Sequence, residues 1–143
     1  MGNKWIQDDL ELLLSIMPSR ISKPLYQRQD LQNLLEIVLD LGRVPEARFP
    51  SGDVVIDSQE IAQQELDFVV DKIGEFGGDN RAGIERTLHR ISAIRNRKGN
   101  IVGLTCRVGR AILGAISIID DLVLKGKSVL FLGRPGVGKT TML

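Results

Sequence analysis

The sequence predicts an α+β domain of helices and small antiparallel hairpins, running into the first strand and loop of a separate α/β domain. Three observations predict it. Apolar residues recur at helical spacing through the first forty positions. The texture then changes to short β-prone runs broken by turns, with apolar and small or polar residues alternating over 101–108. Last, the apolar run Ser128-Val-Leu-Phe-Leu132 leads directly into a glycine-rich stretch, the pattern of a buried strand feeding a loop.

Each element follows in order. Residues 5–17 read as a helix on the spacing of Trp5, Leu12, Leu13 and Ile16, with Pro18 as its stop. Residues 24–41 read as a second helix, with Leu31, Leu34, Leu35, Val38 and Leu39 on one face and Gly42 as its C-terminal cap. Ala47-Arg-Phe49 and Val54-Val-Ile56 flank Pro50-Ser51-Gly52-Asp53, which reads as a hairpin turn. Asp57 or Ser58 caps a third helix opening at Glu60 or Ile61, with Leu66, Val69, Val70 and Ile73 as its apolar stripe. Residues 74–83 form a glycine-rich loop. Residues 84–95 fit either a helix or a strand. The turn Asn96-Arg-Lys-Gly-Asn100 and the period-two run after it favour a β-hairpin, 86–95 with 101–108. An apolar helix over 111–124, ended by Lys125-Gly126, precedes the strand at 128–132. The expected boundaries are therefore 1–110 for the α+β domain, 111–126 for a connecting helix and 127–143 for the start of the α/β domain.

Composition narrows the function classes. The chain has 143 residues, 43% hydrophobic, 26% charged and only 4% aromatic, so it builds an ordinary globular core from aliphatic side chains. A single cysteine, Cys106, excludes an internal disulfide and a cysteine metal cage, and a single histidine, His89, excludes a His–His metal pair. The longest apolar run, residues 111–119, is far short of the ~20 residues that span a bilayer. Asp8, Asp9 and Glu11 among the early leucines do not make a signal peptide. Cys106, on the apolar side of its strand, reads as a small buried hydrophobe, and His89 reads as structural. No hydrolase triad is visible.

The net charge of +1 conceals a split. Residues 1–80 carry 7 Lys/Arg and 15 Asp/Glu, whereas residues 81–110 carry 8 and 1. An acidic front and a basic middle suggest an anionic partner for the middle, or pairing with an acidic face of the same or a neighbouring chain.

One motif carries specific chemistry. Gly133-Arg-Pro-Gly-Val-Gly-Lys-Thr140 matches the phosphate-binding loop G-x-x-x-x-G-K-[ST]. Gly133, Gly136 and Gly138 reach backbone angles closed to other residues, so successive N–H groups converge on phosphate oxygens. Lys139 supplies a cation for the β- and γ-phosphates, and Thr140 offers a hydroxyl where Mg²⁺ would sit. The expected cradle comprises Gly133, Arg134, Pro135, Gly136, Val137, Gly138, Lys139, Thr140 and Thr141, with ATP and Mg²⁺ as ligands. Hydrolysis also needs a downstream acidic residue and further parallel strands. The sequence stops at Leu143 before any of these, so it reads as the front of an ATPase.

The run from Leu88 to Leu143, through His89-Arg-Ile-Ser-Ala-Ile-Arg-Asn-Arg-Lys-Gly-Asn100 and Ile101-Val-Gly-Leu-Thr-Cys-Arg-Val-Gly-Arg110 into the loop, resembles a particular family. It is that of the cyanobacterial and chloroplast conserved plastid-reading-frame P-loop ATPases, relatives of stage III sporulation protein AA. The front half is similar in element order to the N-terminal domain of type II/IV secretion ATPases. The resemblance implies a RecA-like ATPase core after residue 143, a ring of subunits, and a chloroplast-stroma or cyanobacterial-cytoplasm location. It often implies a single-stranded nucleic-acid-binding domain at the far C-terminus. In the secretion ATPases, N-terminal arginines reach nucleotide phosphates, which makes Arg90, Arg95, Arg107 and Arg110 phosphate-sensing candidates. The plainer reading pairs these arginines with the acidic front. A rival function, in another class, is an interaction or nucleic-acid-binding module that uses the basic hairpin 86–110, and a third is a ring-forming adaptor.

Overall fold

In the computed structural model, residues 3–110 are described. Helix α1 spans Asn3–Ser15 and buries Leu10, Leu13 and Leu14, with Ile16 and Met17 continuing the stripe past its end. Pro18 closes α1 and opens the next helix, its carbonyl accepting from the N–H groups of Ile21 and Ser22. That helix, α2, is Ser19–Tyr26, with Pro24 inside it and Ile21, Ser22 and Leu25 buried.

Here the expected helix over 24–41 gives way. A single 3₁₀ turn, Leu31–Asn33, is followed by strand β1 at Glu36–Asp40. The leucine spacing satisfies a helical template, but Ile37 and Leu39 alternate with Glu36, Val38 and Asp40, and only the first pair is fully buried. A short apolar run is ambiguous between the two periods, and here tertiary pairing decides it. β1 lies in the middle of the sheet with partners on both sides, an environment that suits the β-branched Ile37 and Val38. Gly42, expected as a helix cap, instead takes φ +75° in the turn leaving β1, an angle that favours glycine.

The hairpin around residues 50–53 forms as expected, from β2 (Glu46–Phe49) and β3 (Gly52–Val55). Helix α3 runs Gln63–Lys72, starting later than the Asp57 and Ser58 signals suggest. Glu65 replaces them as the capping group, its Oε1 accepting from the Ala62 N–H at 3.0 Å. The glycine-rich stretch contains a short strand, β4 (Arg81–Gly83), reached through a turn in which Asn80 sits at φ 59°. The basic hairpin consists of β5 (Arg90–Arg95) and β6 (Ile101–Arg107); residues 86–89 precede β5 rather than forming part of it.

All six strands join one antiparallel sheet in the order β3-β2-β1-β6-β5-β4, rather than standing as separate hairpins. Its core side carries Ile37, Leu39, Ala47, Phe49, Ile91, Ala93, Leu104 and Cys106, which cluster with the buried residues of α1, α2 and α3. No described element covers the opposite side. Through Gly109 the chain forms one unit. The helix expected over 111–124, the strand at 128–132 and the whole phosphate loop lie outside the described residues.

Candidate anion-binding face

Because strand residues alternate between faces, the register fixes what the open side displays. One row across the sheet reads Asp53, Arg48, Glu36, Arg107, Arg90 and Gly83. The row beside it reads Val55, Glu46, Val38, Thr105, Ser92 and Arg81. The face is thus divided by charge. Its β1–β3 half holds Glu36, Asp40, Glu46 and Asp53 against the single Arg48; its β4–β6 half holds Arg81, Arg90 and Arg107.

The two halves differ in how far their charges are spent. Glu36, with its side chain only 13% exposed, accepts from Arg48 Nη1 at 2.8 Å and from Arg107 Nε at 3.3 Å, so one carboxylate serves both neighbouring strands. Arg48 also lies 4.0 Å from Asp53. Arg90 stands directly opposite Arg107, like charge against like charge, and among the described residues forms no ion pair. Such a cross-strand pair is unfavourable unless something neutralises it.

The structure separates the four phosphate-sensing candidates. Arg90 and Arg107 are neighbours on the open face. Arg95 is engaged in its own turn, its Nε donating to Asn80 Oδ1 and its Nη1 to the Gly99 carbonyl, both at 2.8 Å. Arg110 lies beyond β6, its guanidinium held below its ordinary value by burial. The register adds Arg48, Arg81 and Glu36, which sequence reading passed over. The missed signal was the period-two alternation of residues 36–40, concealed by the leucines just before it.

His89 is buried, 3% exposed, just ahead of β5. The Gly109 N–H donates to its Nδ1 at 3.0 Å, which leaves the ring proton on Nε2, and this donates to the Asp9 carbonyl at 2.7 Å. The imidazole therefore ties α1 to the segment that follows β6. Gly109 has no room to be anything larger, since a Cβ there would lie 2.0 Å from the Leu88 carbonyl oxygen. Cys106 is buried, and desolvation, with a smaller contribution from the Glu36 charge, pushes its thiol up to about 12. It acts as a core residue and not as a nucleophile.

A different arginine shows what full engagement looks like. Arg20 on α2 donates to Glu65 Oε2 and Oε1 at 2.6 Å each, to Asp57 Oδ2 at 2.7 Å, and to the carbonyls of Gln59 and Glu60. Its hydrogen bonds hold the carboxyls of Glu65 and Asp57 below their ordinary values. Among the described residues no group of three His, Cys, Asp or Glu side chains could hold a metal ion, and no helix is long and apolar enough to cross a membrane.

No protein-family model matches the chain. It is 60% identical over 136 residues to an uncharacterized protein ycf45 of Porphyra purpurea, covering 95% of this chain and 24% of that protein. It is 53% identical over 135 residues to the protein SEEDLING PLASTID DEVELOPMENT 1 of Arabidopsis thaliana, covering 94% and 20%. A ycf45 protein of Cyanidium caldarium is 45% identical over 138 residues, covering 96% and 41%. The chain thus spans a fifth to two-fifths of the length of these relatives. The relatives agree with the expected location, the chloroplast or the cyanobacterial cytoplasm. The X-ray structure of the Legionella pneumophila ATPase DotB matches 88% of this chain and 41% of that one, with a TM-score of 0.49 and 16% identity.

Proposed function

We propose that this chain is the front part of an ATP-binding protein, with residues 133–141 as the phosphate loop of a RecA-like ATPase domain that continues past Leu143. The observation that carries the reading is the motif itself, behind the apolar run at 128–132. The donor set suits a magnesium-bound triphosphate. Three glycines free backbone N–H groups to point at oxygen, Lys139 adds a cation, and Thr140 presents a hydroxyl to Mg²⁺. When bound, the metal would neutralise phosphate charge. The chain's own residues bind and orient the nucleotide.

In this reading residues 1–110 form the accessory domain, residues 111–126 a connecting helix, and several copies assemble into a ring. Phosphate sensing by the accessory domain narrows to Arg90, Arg107 and Arg110, because Arg95 is committed to Asn80 and the Gly99 carbonyl.

The test is ATP binding by the full-length protein, followed by titration of a fluorescent ATP analogue. Lys139→Ala is expected to weaken binding by tenfold or more, about 1.4 kcal/mol or above. Unchanged affinity in that variant overturns the reading.

A further inference from the structure

Across β4, β5 and β6 the open face presents a compact set of donors. Arg107, Arg90 and Gly83 form one row, and Thr105, Ser92 and Arg81 the row beside it. Three guanidinium groups thus border two half-buried hydroxyls, and the glycine leaves the outer corner free of side-chain bulk. No hydrogen bond engages the hydroxyls of Ser92 and Thr105 or the guanidinium groups of Arg81 and Arg90 among the described residues, whereas Arg20, Arg28, Arg48 and Arg95 all have partners. Five polar side chains thus point the same way, and only Arg107 is partly spent, on Glu36.

We propose that this patch binds the phosphodiester backbone of a nucleic acid, independently of the phosphate loop. The opposed pair Arg90 and Arg107 is the first argument, since an anion laid between them turns repulsion into two charge-assisted contacts. Shape is the second. Among the described residues no element stands over the face to enclose a base or a ribose, and small ligands need concave sites. Its arginines span three adjacent strands, about 10 Å at the usual strand spacing, which is more than one phosphate group can touch. A polymer with repeating phosphates fits both facts. The third argument is what the face lacks. Among the described residues no aromatic ring lies on it, so bases cannot stack there, and binding is through the backbone and indifferent to sequence.

The acidic half of a second copy is the competing occupant. Its central carboxylate, Glu36, already serves two arginines and Asp53 lies beside Arg48, which leaves Asp40 and Glu46 as the carboxylates that half would bring, and the sedimentation arm below tests for them.

The experiment is fluorescence anisotropy of a labelled oligothymidylate strand with the 143-residue chain, without nucleotide, over a salt series. Binding at low salt that falls steeply as salt rises is expected, the apparent slope dropping by about 0.7 for each phosphate contact removed. The double variant R90Q/R107Q is expected to weaken binding about tenfold or more, equivalent to roughly 1.4 kcal/mol. R97Q/K98Q removes the same charge from the tip of the β5–β6 turn and is expected to change affinity less than about twofold, about 0.4 kcal/mol. Thermal unfolding of each variant confirms that it is folded. Absence of binding, equal loss in both double variants, or ATP displacing the strand as well as unlabelled oligothymidylate does at equal phosphate concentration each overturns the proposal. So does a dimer seen by sedimentation and abolished by R90Q/R107Q, which would give the patch to a second copy. Nucleotide is present only in the ATP competition, which reads displacement of the strand and is repeated with Lys139→Ala, so failure here is distinguishable from failure of the phosphate loop.

Discussion

The same strands build two unlike surfaces. On the side facing the helices, Ile91, Ala93, Leu104 and Cys106 are buried, and their identities answer to volume and apolarity. One residue away along each strand, Arg90, Ser92 and Thr105, half-buried, and Arg107, exposed, face outward. The buried side explains why the sheet exists, and the open side has no such explanation for its charges. Within the open side the contrast repeats. In the β1–β3 half Glu36 draws in Arg48 and Arg107, while the β4–β6 half sets Arg90 against Arg107 with no carboxylate of its own on the face. A surface that would be more stable without its own charges points to something outside itself.

The largest expected effect tests the first contrast. Leu104→Ala opens a cavity between β6 and the helices and is expected to cost about 3 kcal/mol in urea unfolding. Thr105→Ala, the next residue but on the other face, is expected to change stability by less than about 0.5 kcal/mol. Equal costs would mean that both faces are packed and that the open side is not open.

The next effect distinguishes a spent arginine from an unspent one. Arg20→Met leaves Glu65 without its main partner and is expected to cost about 2 kcal/mol at neutral pH. The pH dependence follows from the lowered carboxyls of Glu65 and Asp57. A carboxyl whose folded value is depressed contributes its stability in full above its unfolded value and loses it as pH falls through the folded one. The native chain should therefore lose this contribution below about pH 4, and its stability curve should converge there with that of Arg20→Met. A gap between the two that persists undiminished into acid would remove the ion pairs from the account.

How much of this was legible in the sequence depends on which period won. The β5–β6 hairpin was readable because Val102, Leu104 and Cys106 alternate with small or polar residues and Asn96–Asn100 supplies a turn, closed by the Asn96 N–H donating to the Asn100 carbonyl at 2.9 Å. The β2–β3 hairpin was readable for the same kind of reason. β1 was not, since Leu31, Leu34 and Leu35 imitate a helical stripe and only the pairing with β2 and β6 turns residues 36–40 into a strand. Once β1 is misread, the sheet is misread too. Two hairpins become separate units, and the row that joins Arg48, Glu36, Arg107 and Arg90 cannot be assembled. The basic cluster itself was visible as composition. Which of its members stand together was not, because that depends on cross-strand register. Arg95 and Arg107 look equivalent in sequence, yet one closes a turn and the other faces its counterpart on β5.

The smallest effect is the most diagnostic of the second contrast. Arg90→Ala removes a side chain with no ion pair among the described residues and relieves its opposition to Arg107. If the arginine were structural, its loss would destabilise the sheet as loss of a cross-strand partner does, by up to about 1 kcal/mol. If it is held ready for an anion, the free protein should be unchanged or more stable by a few tenths, within about 0.5 kcal/mol. Raising salt should shrink any gain, because screening weakens the repulsion that the substitution removes. Thermal unfolding of Arg90→Ala at low and high salt reads both quantities. A loss of stability at low salt would show that Arg90 already has an attractive partner within the fold, and the distinction between the two halves of the open face would disappear.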